Sequence, residues 1–316
     1  MNDIKLLLEK LNLGEIAISD LPKDSIFLIA SCMILENIPG PDEILTQLTP
    51  LQRDLIGLQG LLMEGDVANA SVTSSELLQR SRSSEERDLE SEVRIRMERA
   101  LLALDGPEVS GAELRWCAER LNAIAPQSAL HGIAMLNQAT WHSNRGEVMM
   151  ALAIHAEITK ESGFHNEIRG LSRLEVGRIL LSMDDLDSAM RHLWTARELF
   201  LESNMEAESL VASLEWLDIA LEEVVDDAPR MAVRIENAQP RSSPGSDWIP
   251  SNKLDVVELI ENIMPILSRD VSGTERNDLG MIIDAAIMLN KQKWIEEIRT
   301  KKDKIQDERL LDALQS

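Results

Sequence analysis

A short turn pattern recurs at nearly regular intervals between residues 65 and 189, and it limits the possible folds more than any other part of the sequence. The pattern occurs in Gly65-Asp66-Val67, Pro107-Glu108-Val109, Gly146-Glu147-Val148 and Asp184-Asp185-Leu186. Three residues after each Val or Leu stands an alanine, at Ala70, Ala112, Ala151 and Ala189, so the spacings are 42, 39 and 38 residues. This period indicates one antiparallel helix pair per repeat, which is the building block of an α-solenoid.

The residue types at these positions predict how each helix pair packs. An acidic residue in the first turn of a helix is favoured by exposed N–H groups and by the helix dipole. Twelve residues before the alanines stand Leu58, Ala100, Ala139 and Gly177, and the last three of these are small. Small residues on both helices let the two axes approach closely. We therefore expect the alanines to be buried, and the Val or Leu of each turn to pack against its helix pair.

The composition supports a helical chain. There is no Tyr and there are three Phe, and aromatic residues make up 3% of the sequence, whereas β-sheets are enriched in aromatic and β-branched residues. Fourteen methionines are present, and we expect those at Met149, Met150, Met183 and Met190 to fill gaps in the core. The sequence predicts an all-α protein.

Residues 170–200 resemble the tetratricopeptide repeat family. Gly177 falls on the small position of helix A, Ala189 and Ala196 fall on the two small positions of helix B, and Leu193 takes the bulky position between them. The resemblance implies a right-handed α-solenoid of helix-turn-helix repeats with helical caps. Its periods exceed those usual in the family, so it is similar to a variety with longer helices.

Earlier stretches match the family less fully. The matching positions are Ala139, Gly146 and Ala151 in one repeat, and Ala100, Ala112 and Trp116 in the repeat before it. Arg96 and Arg99 stand where the family prefers bulky apolar residues. A further repeat with Ala220 and Ala232 is degenerate because Pro229 occupies its apolar turn position.

These patterns predict four segments along the chain. Residues 1–50 form an N-terminal helical cap, with helices expected over 2–13, 23–37 and 41–48. Residues 51–240 form the repeat array, with repeats centred on Ala70, Ala112, Ala151, Ala189 and the degenerate Ala232. Residues 241–252 form a linker rich in Pro, Ser and Gly, and 253–316 form a C-terminal segment with helices over 253–268, 275–290 and 292–314.

Charge and termini restrict the partners. The formal net charge of -23 opposes binding to phosphate backbones, so we expect no nucleic-acid partner. No basic leader precedes an apolar run, and the longest apolar stretch, 26–35, is too short to span a bilayer. Cys32 and Cys117 form no ligand motif and favour buried thiols in a reducing compartment. We expect a cytoplasmic protein that does not bind membranes.

Motifs that carry chemistry are missing from the sequence: there is no phosphate-binding loop and no HExxH, GxSxG or CxxC motif. His142 and His155 lie at positions where the family has Tyr or Phe, so we expect buried structural side chains rather than metal ligands. The acidic run 184–187 is explained by capping of a helix start. We therefore expect no enzyme activity and no catalytic, cofactor or metal site.

In the family, the A helices line a concave groove, and the resemblance implies that this groove binds a peptide or an amphipathic helix of another protein. Carried onto this sequence, the groove residues are Arg94, Met97, Leu101, Ile133, Leu136, Thr140, Asn144, Leu171, Leu174, Arg178 and Leu181. Arg94 and Arg178 suggest a partner segment with apolar anchors and at least one carboxylate. Two alternatives stay open: the chain's own flanking helices fill the groove, or both arginines pair with neighbouring carboxylates.

Together these observations predict a non-catalytic adaptor or scaffold that binds another protein. An alternative is the regulatory or sensor arm of a signalling or transcription complex. A third hypothesis, from a different class, is an all-helical enzyme with a site between the solenoid and the C-terminal helices. Such an enzyme would have a pocket with convergent titratable groups.

Overall fold

A computed structural model describes residues 2–21, 23–238 and 248–314. Helices account for almost all regular structure in these ranges, so the predicted all-α fold class is confirmed. The chain divides into an N-terminal unit, Met1–Ile168, and a C-terminal unit, Arg169–Ser316. This division lies inside the segment that the sequence predicts as one repeat array.

The N-terminal unit contains nine complete helices among its described residues. They are α1 (Asn2–Asn12), α2 (Lys23–Leu35), α3 (Asp42–Gln47), α4 (Pro50–Met63), α5 (Val67–Ser81), α6 (Leu89–Leu101), α7 (Pro107–Ile124), α8 (Ala129–Asn144) and α9 (Val148–Ala156). A 3-10 helix, Ile18–Asp20, follows α1. The next helix, α10 (Asn166–Ser182), begins at the end of this unit and continues into the C-terminal unit.

The C-terminal unit is also helical, with one very short sheet. Its helices are α11 (Leu186–Glu202), α12 (Glu206–Ala220), α13 (Met231–Glu236), α14 (Lys253–Leu267), α15 (Asn277–Leu289), α16 (Gln292–Arg299) and α17 (Glu308–Ala313), with a 3-10 helix at Lys302–Lys304. Strands β1 (Val224–Val225) and β2 (Ser251–Asn252) pair in parallel. The helix predicted over 292–314 is therefore wrong: it ends at Arg299, and Asp307 caps a separate α17 by accepting the N–H groups of Arg309 and Leu310.

The predicted turns share one backbone geometry. A residue with positive φ stands at Gly65, Gly146 and Asp184, two residues before the next helix begins. The N–H of the residue that follows each of them bonds a carbonyl five residues back, for example Asp66 to Leu61 at 2.9 Å. This bond closes the end of the preceding helix and is typical of a Schellman motif. The small residues Ala70, Ala151 and Ala189 then lie five residues after the positive-φ position and are all buried.

The second repeat departs from the predicted register by one residue. Ala112 is exposed, while Gly111 is buried and lies five residues after Gly106, which has φ +97°. A Cβ atom on Gly111 would lie 2.6 Å from Cζ2 of Trp141. The prediction of Ala112 as the packing residue is therefore wrong, because α7 approaches α8 at the neighbouring glycine.

The degenerate repeat also differs from its prediction. Ala220 is fully buried at the end of α12, but Ala232 is exposed. Helix α13 has six residues and buries Met231 and Arg234 instead. Such a short helix presents one narrow face to the core, and that face begins at Met231 rather than at Ala232.

Part of the predicted linker, residues 241–247, lies outside the described residues. Its described end, residues 248–252, is hydrogen-bonded to other residues of the C-terminal unit. Trp248 donates from Nε1 to Oε2 of Glu223 at 2.7 Å, and Ser251 and Asn252 pair with β1. Asn252 also donates to the carbonyl of Ala228 at 2.6 Å and caps α14.

Candidate functional site

In the N-terminal unit, consecutive helices from α4 to α9 run antiparallel, so alternate turns lie at the same edge. Arg99, near the end of α6, donates from Nη1 to the hydroxyls of Ser74 and Ser75, in the middle of α5, at 2.8 Å each, and to the carbonyl of Ser71, nearer the start of α5, at 3.5 Å. Gly111, near the start of α7, packs against Trp141, near the end of α8. These contacts bring together the α4–α5, α6–α7 and α8–α9 turns, which we call the turn edge.

The turn edge carries a group of exposed apolar side chains. They are Met63, Val67, Leu101, Leu102, Val109, Met149 and Met150. Met63 and Met149 are each 69% exposed, and Leu101 is 50% exposed. Exposed apolar surface that is concentrated in one place is typical of an interaction surface, whereas scattered single residues are ordinary. The turn edge is therefore the candidate binding surface of this unit.

The opposite edge of the same unit is different in character. Its turns, residues 82–88 and 125–128, are mainly charged or small and polar, and Arg80 pairs there with Glu86 at 2.7 Å. Among the described residues of these turns and the helix ends beside them, the exposed large apolar side chains are Ile124 and Ile133. The two edges of one helical array thus differ in polarity, although both consist of turns.

The turn edge is also acidic. Its carboxylates are Glu64, Asp66, Asp105, Glu108 and Glu147, and its guanidinium groups are Arg99 and Arg145. The backbone N–H of Asn69, and then its side-chain amide, hydrogen-bond Asp66 and lower its pKa. A hydrogen bond with His142 lowers the pKa of Glu147. Asp66 and Glu147 are therefore ionised near neutral pH, and the apolar side chains lie among negative charges.

Of this surface the sequence predicted only Leu101, as a groove residue, and two other predictions for it are wrong. Met149 and Met150 do not fill the core but are exposed, whereas Met190 is fully buried as predicted. Val67 and Val109 are 46% and 41% exposed, so neither is buried against its helix pair as predicted. The sequence feature that could have predicted their exposure is their position at turns, because a helix end has few neighbouring residues that can cover a side chain.

The predicted groove residues of the N-terminal unit fall into two groups. Leu101, Ile133, Thr140 and Asn144 are exposed, and Leu136 is partly buried. Met97 is 5% exposed and belongs to the core. Arg94 lies 4.5 Å from the ring centroid of Phe27 and donates to Glu90 at 2.8 Å. The predicted groove positions that are accessible to a partner are therefore the exposed ones, Leu101, Ile133, Thr140 and Asn144.

Most of the predicted groove residues of the C-terminal unit already make contacts within the chain. Leu174 is buried, and Leu171 and Leu181 pack against the core cluster of that unit. Arg178 is exposed and donates from Nη2 to Glu215 at 2.6 Å and from Nη1 to Glu175 at 2.5 Å. Both arginines thus pair with carboxylates of this chain, which is one of the alternatives that the sequence left open.

The histidines have structural surroundings. His142 is buried, with Nδ1 2.6 Å from Oε2 of Glu147 and its ring edge-on to Trp141. His131 accepts the N–H of Gln127 at Nδ1, and burial lowers its pKa. His155 is buried as well. In the described part of the chain, no three His, Cys, Asp or Glu side chains are grouped in a way that could hold a metal ion.

Neither cysteine is activated as a nucleophile. Burial raises the pKa of the Cys117 thiol to about 12 and also raises the pKa of Cys32. The reactive form of cysteine is the thiolate, so both side chains are inert at neutral pH.

None of the described helices combines the length and the apolar character that crossing a membrane requires. Comparisons with protein-family models, with curated proteins and with solved structures find no match to this chain.

Proposed function

We propose that this chain is a non-catalytic adaptor that binds another protein through the turn edge of its N-terminal unit. In this proposal the pairs α4/α5, α6/α7 and α8/α9 form a right-handed α-solenoid of tetratricopeptide-like repeats, and their turns present the binding residues. The observation that carries the proposal is the concentration of exposed Met, Leu and Val side chains at one edge, with a polar edge opposite.

These side chains suit recognition of a partner for two reasons. Burying them against another protein removes apolar surface from water, which stabilises a complex by about 25 cal/mol per Å². Methionine is unbranched and flexible, so it adapts to the shape of an apolar partner. Met63 and Met149 are the most exposed of the set, so each would contribute a large share of this area.

Charge selects the kind of partner. Carboxylates outnumber guanidinium groups at the turn edge, so an apolar segment flanked by Lys or Arg is attracted and an acidic one is repelled. The occupant we propose is an amphipathic helix with basic residues beside its apolar face. A partner carboxylate at Arg94 or Arg178 would instead have to displace Glu90 or Glu215.

A peptide selection tests this proposal directly. A phage-displayed library of amphipathic helices would be selected on the full chain, and we expect enrichment of peptides with apolar residues at helical spacing and an excess of Lys and Arg. The double variant Leu101→Ser, Met149→Ser should then weaken binding by about 30-fold. Burial of each half-exposed side chain is worth about 1 kcal/mol.

The matched control is Ile124→Ser, which removes an apolar side chain of similar exposure (40%) from the opposite edge. It should leave the affinity of the selected peptides unchanged. Equal weakening by the control and by the double variant would contradict the proposal. So would selected peptides that bind the double variant as tightly as the parent chain.

A further inference from the structure

Three of the apolar side chains at the turn edge are methionines. Met63 is the last residue of α4, and Met149 and Met150 lie in the first turn of α9. Their side chains are 69%, 69% and 49% exposed. Among the described residues, the other methionine with an exposed side chain is Met288, at 50%, in α15 of the C-terminal unit. The accessible thioethers are therefore concentrated at the turn edge.

Most of the other sulfur atoms in the described part of the chain are shielded from solvent. The buried methionines are Met97, Met135, Met190, Met205, Met231 and Met264. Cys32 and Cys117 are buried as well, and burial raises the pKa of both thiols, which keeps them out of the reactive thiolate form. A mild oxidant therefore reaches the thioethers of the turn edge without reaching those of the cores.

Hydrogen peroxide converts an accessible methionine into methionine sulfoxide. The sulfur lone pair attacks one peroxide oxygen, so that an S–O bond forms while the O–O bond breaks. The departing hydroxide takes the proton of the transferred oxygen and leaves as water. The thioether loses two electrons and the peroxide gains them. Peroxide is uncharged at neutral pH, so the carboxylates of the turn edge do not repel it.

This change removes the property that makes the three side chains suitable for binding. A thioether is apolar, whereas a sulfoxide is polar. A sulfoxide oxygen that is buried against an apolar partner without a hydrogen-bond donor loses its hydration, and this opposes binding. Oxidation adds no charge, so the attraction between basic partner residues and carboxylates such as Asp66 and Glu147 is retained while the apolar contribution is lost.

We propose that Met63, Met149 and Met150 form a reversible oxidation site that controls binding at the turn edge. The thioether form binds the partner, and the sulfoxide form releases it. Because the methionines of the cores are buried, the helical fold persists in both forms. This inference rests on the proposed function, since it assigns a means of regulation to the same surface.

Peptide mapping by mass spectrometry tests the modification site without any partner. The full chain would be treated with hydrogen peroxide and digested. We expect sulfoxide at Met63, Met149 and Met150, while Met97 and Met190 remain unoxidised and circular dichroism of the treated chain keeps its helical signal. Oxidation of the buried methionines as fast as those of the turn edge would overturn the proposal.

A second measurement tests the control of binding, with a Met-free peptide selected on the untreated chain as the probe. Oxidation of the full chain should weaken binding of this peptide by about 10-fold or more, because unpaired polar groups become buried in the complex. Methionine sulfoxide reductases for both sulfoxide epimers, with dithiothreitol as the reductant, should restore the parental affinity.

The outcomes separate this inference from the proposed function. Binding that survives oxidation, or a loss that the reductases do not reverse, would overturn the oxidation switch and leave the proposed function in place. Failure of the untreated chain to bind any library peptide would instead overturn the proposed function and this inference with it.

Two variants assign the effect to these methionines. The triple variant Met63→Leu, Met149→Leu, Met150→Leu keeps apolar side chains of similar volume that peroxide does not oxidise. Whatever its own affinity, its peptide binding should be unchanged by peroxide. The matched control Met288→Leu removes a thioether as exposed as that of Met150 and should lose binding on oxidation as the parent chain does. Equal sensitivity of the two variants to peroxide would overturn the proposal.

Discussion

Gly57 and Gly111 both lie inside helices, but a methyl group would meet different surroundings at the two positions. At Gly111 a Cβ atom would lie 2.6 Å from Cζ2 of Trp141, which is closer than real Cβ atoms approach a neighbour. At Gly57 a Cβ atom would have no heavy atom within 4 Å apart from its chain neighbours and the backbone of its own helix. Close approach of α7 and α8 therefore requires a glycine at position 111. Packing against neighbouring residues does not require a glycine at position 57.

We therefore expect Gly111→Ala to destabilise the protein and Gly57→Ala to stabilise it. The overpacked ring contact should cost about 1–3 kcal/mol. At Gly57 the gain should be about 0.5–1 kcal/mol, because alanine loses less backbone freedom on folding than glycine does. Urea unfolding of the two variants measures both values, and a stabilised Gly111→Ala variant would contradict the packing described for α7 and α8.

Helices α5 and α6 are joined by polar contacts. Arg99 is 9% exposed and donates to Ser74 and Ser75, and it forms two bonds with Asp105, at 3.0 and 2.6 Å. Arg96 lies 3.8 Å from the ring centroid of Trp116. Arg96 and Arg99 weaken the resemblance of the second repeat to the family. In the structure they form hydrogen bonds and a cation–π contact in place of apolar packing.

Arg99→Met should reduce the free energy of unfolding by about 1–3 kcal/mol, because the buried hydroxyl of Ser74 loses its donor. The matched control Arg53→Met, at an exposed position of α4, should change it by less than about 0.5 kcal/mol. Chemical denaturation at pH 7 measures both. Equal effects of the two changes would show that Arg99 contributes no more than an ordinary surface arginine.

The same contact has a pH dependence with a defined sign. Hydrogen bonding by Arg99 lowers the pKa of Asp105. Its contribution to stability is therefore fully present above the unfolded pKa of about 4 and is lost as the pH falls through the lowered folded value. The difference in unfolding free energy between the parent chain and Arg99→Met should consequently shrink between pH 5 and pH 2.

Considered as a whole, the molecule has separate buried cores in its two units. Leu114 belongs to a core cluster of the N-terminal unit and Leu259 to that of the C-terminal unit, and both are fully buried. Compact units with their own cores can unfold as separate cooperative transitions.

Calorimetry should accordingly resolve two unfolding transitions. Leu114→Ala and Leu259→Ala should each destabilise one unit by about 2–5 kcal/mol and lower the temperature of one transition. Leu114→Ala should lower the unfolding temperature of one transition only, and Leu259→Ala should lower that of the other transition only. A single transition shifted equally by both variants would contradict separate cooperative units.

The helical fold, the turn positions and most of the packing alanines could be predicted from the sequence because they depend on local properties. A breaker followed by an acidic residue marks a helix boundary, and Ala70, Ala151 and Ala189 are buried as their spacing predicts. The second repeat was misplaced by one residue because an alanine, Ala112, stands directly after the glycine that makes the contact.

Other properties were decided by tertiary structure. Helical periodicity tells which residues share a face, but whether that face is covered depends on a neighbouring helix, so the exposure of Met63 and Met149 did not follow from the pattern. Asp187 and Arg234 are 47 residues apart, and they meet because α11 and α13 pack together. The sequence by itself determined most helix boundaries and most positions of close packing, because these depend on local residue types. The fold decided which apolar and charged side chains remain available to a partner.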